Sequence, residues 1–318
     1  MQRNITLDSL KVVLAFMVVG LHGSFFSDIN SQVSYNLVNG LFRIAVPIFF
    51  IINGFFFYNA IEKNSLKTWF VRILSLYCFW MLFYSYFWLR PDSYDLHNLA
   101  KIIKILIFGY HHLWYLPSTI GAAILLYFLS SKSTRLILLT SFGLYTIGLF
   151  IQYSGAHSLF DNNVVNYVFG QLISYRNFLF FGFPFFAFGY LIKKHNVQDK
   201  IKISSVKILS LVGILLLLIE SSINFFLLDG KEGFDLLFSL LILCPSIFIF
   251  TLMFEIKSTY KDMALISTAI YFIHPFLLSL GYKFLILNDT VLTLSVILIS
   301  IPISFILIYC NNKFRYLL

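Results

Sequence analysis

Apolar runs of about 20 residues follow one another along almost the whole chain, and no other property limits its fold as tightly. Coiled as a helix, a run of that length matches the ~30 Å hydrocarbon core of a bilayer. Lipid offers the backbone no hydrogen bonds, so only helices or a closed barrel can span it. The runs lack the period-two alternation of barrel strands. The expected fold is therefore an all-α integral membrane protein. Composition agrees: 59% of the 318 residues are hydrophobic and 12% are charged, against roughly 45–50% and 25% in a soluble domain. Cys78, Cys244 and Cys310 each fall in an apolar run without a C-x-x-C pattern, so neither a disulfide nor a metal site is expected. The first run is too long for a cleavable signal, contains Lys11, and is not followed by a small-residue cleavage site.

Ten spans are expected, near 5–25, 37–58, 69–90, 111–129, 135–153, 173–192, 205–228, 234–254, 263–283 and 289–310. Together they form one transmembrane domain over 1–318. The longest connectors, 91–110 and 154–172, are too short for a soluble domain. In the first, Leu99, Ile102, Ile103 and Leu106 share one face, which predicts an interfacial or re-entrant helix. The net charge of +9 lies in the loops and is no sign of a nucleic-acid partner. With the N-terminus in the cytoplasm, fifteen Lys and Arg residues fall on the cytoplasmic side and six on the other. That bias predicts ten spans with both termini cytoplasmic.

Charged or ionisable residues within hydrocarbon cost several kcal/mol unless paired, and by default they mark function. Lys11 and His22 lie eleven residues apart in the first span, on one helix face and roughly 16 Å apart along the axis. The inferred orientation puts Lys11 toward the cytoplasm. It puts His22, Arg43, His111 or His112, Arg176, Glu220 and His274 in one outer layer. Side chains at one depth that lipid cannot satisfy are expected to face a common polar cavity. Other readings of the same residues stand beside this one. Lys11 can pair with Asp8, three residues earlier, and Arg176 and His111 can snorkel. His274, preceding Pro275, can be bonded within a kinked helix. Arg43 and Glu220 either pair with each other or line the site. An imidazole of near-neutral pKa suits proton abstraction from a hydroxyl, and cationic side chains suit a phosphate or an oxyanion. The histidines lack zinc-site spacing, and neither GxSxG nor a P-loop is present.

At these residues the chain resembles the acyltransferase-3 family of membrane acyltransferases. Lys11 and His22 match its basic residue and His in the first span. Arginine is usual at the first position, and lysine keeps the charge without the bidentate fork. The stretch from Arg43 to Asn53-Gly54 resembles the family's Arg…Val-Pro…Phe-Phe-x-x-Ser-Gly, with Asn53 in place of Ser. His112-Leu-Trp-Tyr-Leu116, Phe186-Ala-Phe-Gly-Tyr190 and Tyr271-Phe-Ile-His274 resemble three further motifs, in family order.

The resemblance implies an enzyme of a bacterial inner membrane, an O-acyltransferase. It would move an acyl group, usually acetyl, from cytoplasmic acyl-CoA to a hydroxyl of an envelope glycan or glycolipid. No permanently bound cofactor is implied; acetyl-CoA is the donor substrate. Ending at Leu318, the chain resembles the short members without a C-terminal extracytoplasmic domain. His22 is the candidate base or acyl relay. Arg43 would bind the donor or stabilise the oxyanion, and Lys11 would meet CoA phosphates. Asn53 and Gly54 would allow close backbone approach on the donor side. Glu220 would complete the catalytic set, and His112, Trp114, Arg176 and His274 would contact substrate. The alternative is a transporter or flippase of a glycolipid or anionic metabolite, using the same residues as a pathway.

Overall fold

The computed structural model describes residues 3–90, 95–258, 262–314 and 317–318. Lys261 and Arg315, both used in the charge count, lie outside the described residues. The chain is almost entirely helical. Its helices are α1 (Ile5–His22), α2 (Ser31–Val38), α3 (Ala45–Glu62), α4 (Leu66–Phe83), α5 (Ser85–Trp88), α6 (Leu96–Phe108), α7 (Tyr115–Leu129) and α8 (Thr134–Ala156). They continue as α9 (Asn163–Gly170), α10 (Leu172–Tyr175), α11 (Phe183–His195), α12 (Ile203–Leu227), α13 (Leu240–Met253), α14 (Asp262–Phe284) and α15 (Asp289–Lys313). One short antiparallel pairing joins β1 (Arg3–Asn4) to β2 (Lys257–Ser258).

Among the described residues, eight segments are long and apolar enough to cross a membrane: 5–22, 31–62, 66–83, 111–129, 134–156, 203–227, 262–284 and 289–313. Each overlaps an expected span. The sixth and eighth expected spans, 173–192 and 234–254, are instead interrupted. In the sixth, α10 is a single turn, and Asn177 then restarts the chain. Its side-chain oxygen accepts from Leu179 and Phe180 N–H at 2.9 and 3.1 Å, capping a π-turn over Phe178–Gly182 that leads into α11. In the eighth, residues 228–239 are largely irregular and α13 has 14 residues. The second expected span, 37–58, is also broken. Between α2 and α3 the chain passes through Asn39-Gly40 and a 3-10 turn, Leu41–Ile44. The connector helix expected in 91–110 is α6. It has no buried residue, and Leu99, Ile103 and Leu106 are all exposed.

The chain divides into two compact units. One contains the described residues of Met1–Ile52 and Ile192–Tyr316, with Leu318; the other contains Asn53–Leu191 with Leu317. In the first unit, α1 starts on Asn4, whose side chain accepts from Leu7 N–H at 3.1 Å. Asp8 in its first turn complements the helix dipole. α1 and α15 pack on α14 around Ala15, Val19, Ile270, Leu278, Leu292 and Val296. α12 packs on α13 and α2, and its outward face of leucines and isoleucines is exposed, as a lipid-facing helix requires. In the second unit, α7 and α8 pack on the π-turn, and α9 and α10 pack on α8.

Candidate active site

α1 carries an ionisable residue near each end. Lys11, in its second turn, bonds the buried Asp8 carboxylate at 2.8 Å. That is the local pairing weighed from the sequence. His22 is the last residue of the helix. α14 brings His274 to it: the two imidazole centres are 5.2 Å apart, with planes tilted by 32°. His274 is fully buried, and the Tyr271 ring lies 6.1 Å from it. Nδ1 of His274 is 2.7 Å from the Tyr271 carbonyl oxygen and 3.2 Å from that of Ile270. A carbonyl can only accept. Nδ1 therefore carries the proton, and Nε2 is the basic atom of the neutral ring.

Arg43 sits in the 3-10 turn that packs on α1. The Phe42 ring covers Gly20 so closely that a Cβ there would lie 2.6 Å from it. Arg43 Nη1 donates to the Asp235 carboxylate and Nη2 to the Asn39 side-chain oxygen. Its buried Nε has no hydrogen-bond partner among the described residues. Gly233 leaves room beside the guanidinium, where a Cβ would come within 3.1 Å of Nη2.

The carboxylate on Arg43 is thus that of Asp235, not that of Glu220, the pairing weighed from the sequence. Glu220 instead accepts from Phe238 N–H at 2.8 Å, Ser239 N–H at 3.0 Å and the Ser239 hydroxyl at 2.8 Å. It satisfies backbone donors where α13 begins, which anions do well. Tyr35 donates its hydroxyl hydrogen to the Glu232 carbonyl at 2.7 Å. Residues 232–239 are accordingly pinned three times: by Tyr35, by Arg43 and by Glu220.

The second unit holds the other motif residues. Gly109 (φ 89°) and His111 (φ 48°) turn the chain in left-handed conformations, which glycine adopts freely and histidine tolerates. The 3-10 turn His111–Trp114 follows. His112 is buried, with its ring edge-on to Tyr84 at 5.2 Å. Trp114 has two ring contacts: Phe181 stacks on it at 5.6 Å, and the Arg176 guanidinium lies 4.5 Å from its ring centre, a cation–π contact. The Asn53 amide donates to the Tyr115 hydroxyl. Beside it, Gly54 lets the α3 backbone meet that of α11. A Cβ at Gly54 would lie 1.8 Å from the Phe186 carbonyl oxygen.

Of the residues expected in one layer, His22, Arg43, Glu220 and His274 belong to the first unit and His111, His112 and Arg176 to the second. Asp235 and Asn39 were missed. Asp235 stands at the head of an apolar run, where a carboxylate reads as an interface residue, and its partner is 192 positions away. Pro275, next to a candidate residue, was the one visible signal that His274 would bond within its helix.

Fold and side chains together define a polytopic, all-helical membrane protein with an imidazole pair and a guanidinium–carboxylate pair gathered inside one helical unit. The family model described as an acyltransferase domain, Acyl_transf_3, matches residues 4–309, and the chain belongs to that family. The chain is also similar to an "Amino-acid racemase" of Enterococcus faecalis, 26% identical over 97% of this chain and 46% of the relative. A "Serine/alanine racemase" of Enterococcus gallinarum is 25% identical over 98% of this chain and 46% of the relative. The chain thus spans about half the length of the curated relatives it matches. No solved structure matches it.

Proposed function

We propose that this chain is a membrane O-acyltransferase. It would carry an acyl group, acetyl in the simplest case, from cytoplasmic acyl-CoA to a hydroxyl of an envelope glycan or glycolipid. The observation that carries this reading is the approach of His22 and His274, two imidazoles with centres 5.2 Å apart, in a chain of the acyltransferase family. His22 takes the acceptor's hydroxyl proton while the oxygen attacks the thioester carbonyl. The tetrahedral oxyanion collapses as the C–S bond breaks, and the proton leaves with the thiol.

Arg43 supplies positive charge for the oxyanion or for the donor's phosphates, with Asp235 and Asn39 holding its terminal nitrogens. Lys11 meets the CoA phosphates from the cytoplasmic end of α1, exchanging Asp8 for them. Glu220 shapes the site by fixing the start of α13. Asn53 and Gly54 set the crossing of α3 and α11 on the donor side. His112, Trp114 and Arg176 form an acceptor surface, aromatic faces being suited to sugar rings. In this reading the protein sits in a bacterial inner membrane with both termini cytoplasmic. It crosses ten times, with 173–192 and 234–254 crossing as interrupted helices. Such breaks are tolerated at membrane depth where protein side chains satisfy the backbone, as Asn177 and Glu220 do.

The test is transfer from labelled acetyl-CoA in membranes bearing the unaltered protein or His22→Ala. Loss of acceptor labelling at normal protein abundance is expected; full labelling by His22→Ala refutes the base assignment. Mass spectrometry of envelope glycans from cells with and without the gene would then identify the acceptor by one acetyl mass.

A second reading, transport through the same residues, draws on the relatives' names. A serine/alanine racemase acts on a small zwitterion, and a membrane segment shared with such proteins suits passage of a small charged metabolite. Uptake into proteoliposomes without any acyl donor would favour it over transfer.

A further inference from the structure

Pro275 lies inside α14, directly after His274. Proline has no backbone N–H, so the carbonyl four residues before it loses its helical donor. For Pro275 that carbonyl is Tyr271's. In a membrane an orphaned carbonyl is costly and recruits a side-chain donor within reach. Here the donor is Nδ1 of His274, 2.7 Å away. The proline therefore creates the acceptor, and the acceptor decides where the imidazole proton sits. It sits on Nδ1, which leaves the Nε2 lone pair on a fully buried ring centred 5.2 Å from that of His22.

We propose that Pro275 sets the tautomer of His274, and that His274, through Nε2, shares the single proton His22 takes from the acceptor hydroxyl. This rests on the O-acyl transfer reading above. Two imidazoles this close resist being charged together, so the pair takes up one proton at a time beyond the one each neutral ring already carries. The proton leaves the hydroxyl as the new C–O bond forms, resides on the pair, and departs with the thiol as the C–S bond breaks. His274 and Pro275 are positioning residues: His274 acts through His22, and Pro275 acts through His274. The His-Pro dipeptide thus does more than kink a helix, because it presents a neutral ring to its neighbour with a defined basic atom.

The experiment uses the full chain in nanodiscs with two variants. His274→Asn keeps an amide N–H where Nδ1 stands, so the Tyr271 carbonyl stays bonded, but it has no basic nitrogen. Pro275→Ala returns a backbone N–H that competes with Nδ1 for that carbonyl. The first readout is the nitrogen spectrum of protein labelled with 15N-histidine, with the His274 signals assigned by their loss in His274→Asn. The unaltered protein should show Nδ1 protonated and Nε2 unprotonated, and Pro275→Ala should show mixed tautomers. The second readout is acyl transfer from acetyl-CoA. Both variants should lose kcat on the order of tenfold or more at unchanged KM. A tautomer unmoved in Pro275→Ala overturns the role of the proline. Unaltered kcat in His274→Asn overturns proton sharing and reduces the ring to a helix bond. Absence of transfer by the unaltered protein overturns the functional reading and the proton-sharing step with it, while the spectra alone still decide the tautomer.

Discussion

The ion pair between Arg43 and Asp235 carries a prediction that separates folding from chemistry. Their side chains are 13% and 7% exposed, so the pair is largely withdrawn from solvent. At an ordinary hydrogen-bonded separation of ~3 Å and an effective dielectric of ~20, the attraction is about 5 kcal/mol before desolvation. Removing one partner of a buried pair typically costs about 3–5 kcal/mol, because the other charge is left behind. The residual exposure of Arg43, and its second bond to Asn39, place Asp235→Ala near the lower end, about 3 kcal/mol. Asp235→Asn keeps an acceptor and loses only the charge, so it should cost less, about 1–2 kcal/mol. At roughly 2–4 °C per kcal/mol for a unit of this size, Asp235→Ala should melt about 6–12 °C below the unaltered protein. Cys244 gives a local reporter. Its thiol is fully buried in α13, so a fluorogenic maleimide labels it when the first unit opens, and Cys78→Ser with Cys310→Ser removes the exposed and the half-buried background thiols. The decisive variant is Arg43→Met with Asp235→Leu. Replacing both charges by apolar groups should recover most of the lost stability, and the acyl transfer proposed above should be lost with the guanidinium. A double variant that melts as low as Asp235→Ala, or an Asp235→Ala protein that melts with the unaltered one, refutes the argument.

Two further outcomes follow from the geometry. Gly54→Ala must drive the α3 and α11 backbones apart by about 1.5 Å to relieve its contact with the Phe186 carbonyl. It should destabilise by about 1–3 kcal/mol, whereas Gly143→Ala, whose added Cβ would meet no other element within 4 Å among the described residues, should stabilise α8 by up to ~1 kcal/mol; the reverse order of melting temperatures would defeat this account. Asp28, in the turn after α1, has its carboxyl held below the ordinary aspartate range, chiefly by the Thr290 hydroxyl and also by the Thr290 N–H. A lowered native value means that the tie to the start of α15 stabilises fully above the unfolded value of ~3.9, and is lost as pH falls through the lower native one. Hydrogen exchange in residues 23–30 should therefore stay slow at pH 5 and quicken only below pH ~4, and Asp28→Asn should flatten that dependence. Equal acid sensitivity in both proteins would remove the carboxylate as its cause.

Helices built from uninterrupted apolar length were legible in the amino-acid sequence. α1, α8, α12, α14 and α15 fall within a few residues of the expected spans, because twenty apolar residues in lipid have one low-energy backbone solution; α4 ends at Phe83, seven residues short of its expected end. The breaks were not legible, since the residue that makes one of them tolerable is remote from it and the residue that makes another tolerable has no distinguishing neighbour in sequence. Glu220 caps backbone donors eighteen and nineteen positions later. Asn177 restarts the chain ahead of α11 with a side chain that, in sequence, is one more polar residue near the start of an expected span. The local pairing of Lys11 with Asp8 could be weighed from spacing alone. The partner of Arg43 could not, because helix packing and not helix period brings Asp235 to it.

This pattern changes how an intramembrane polar residue is to be read. Burial among apolar side chains is costly whether the polar group serves chemistry or serves the backbone, so cost alone does not separate the two. What separates them is where the hydrogen-bonding capacity goes. Both oxygens of Glu220 accept bonds around the start of α13, and Asn177 uses its oxygen and its amide on local backbone. Their positions are explained by interrupted helices. Arg43 has its terminal nitrogens matched to side chains and not to backbone, which holds a charge in place without neutralising a helix end. His274 belongs to both groups. One ring nitrogen serves the carbonyl opposite Pro275, and that bond is what leaves the other nitrogen basic, in a ring that faces His22. A residue that repairs a helix with half of its bonding capacity is, for that reason, rigidly oriented in the other half, and it is at such residues that a membrane helix can hold a proton at a defined atom.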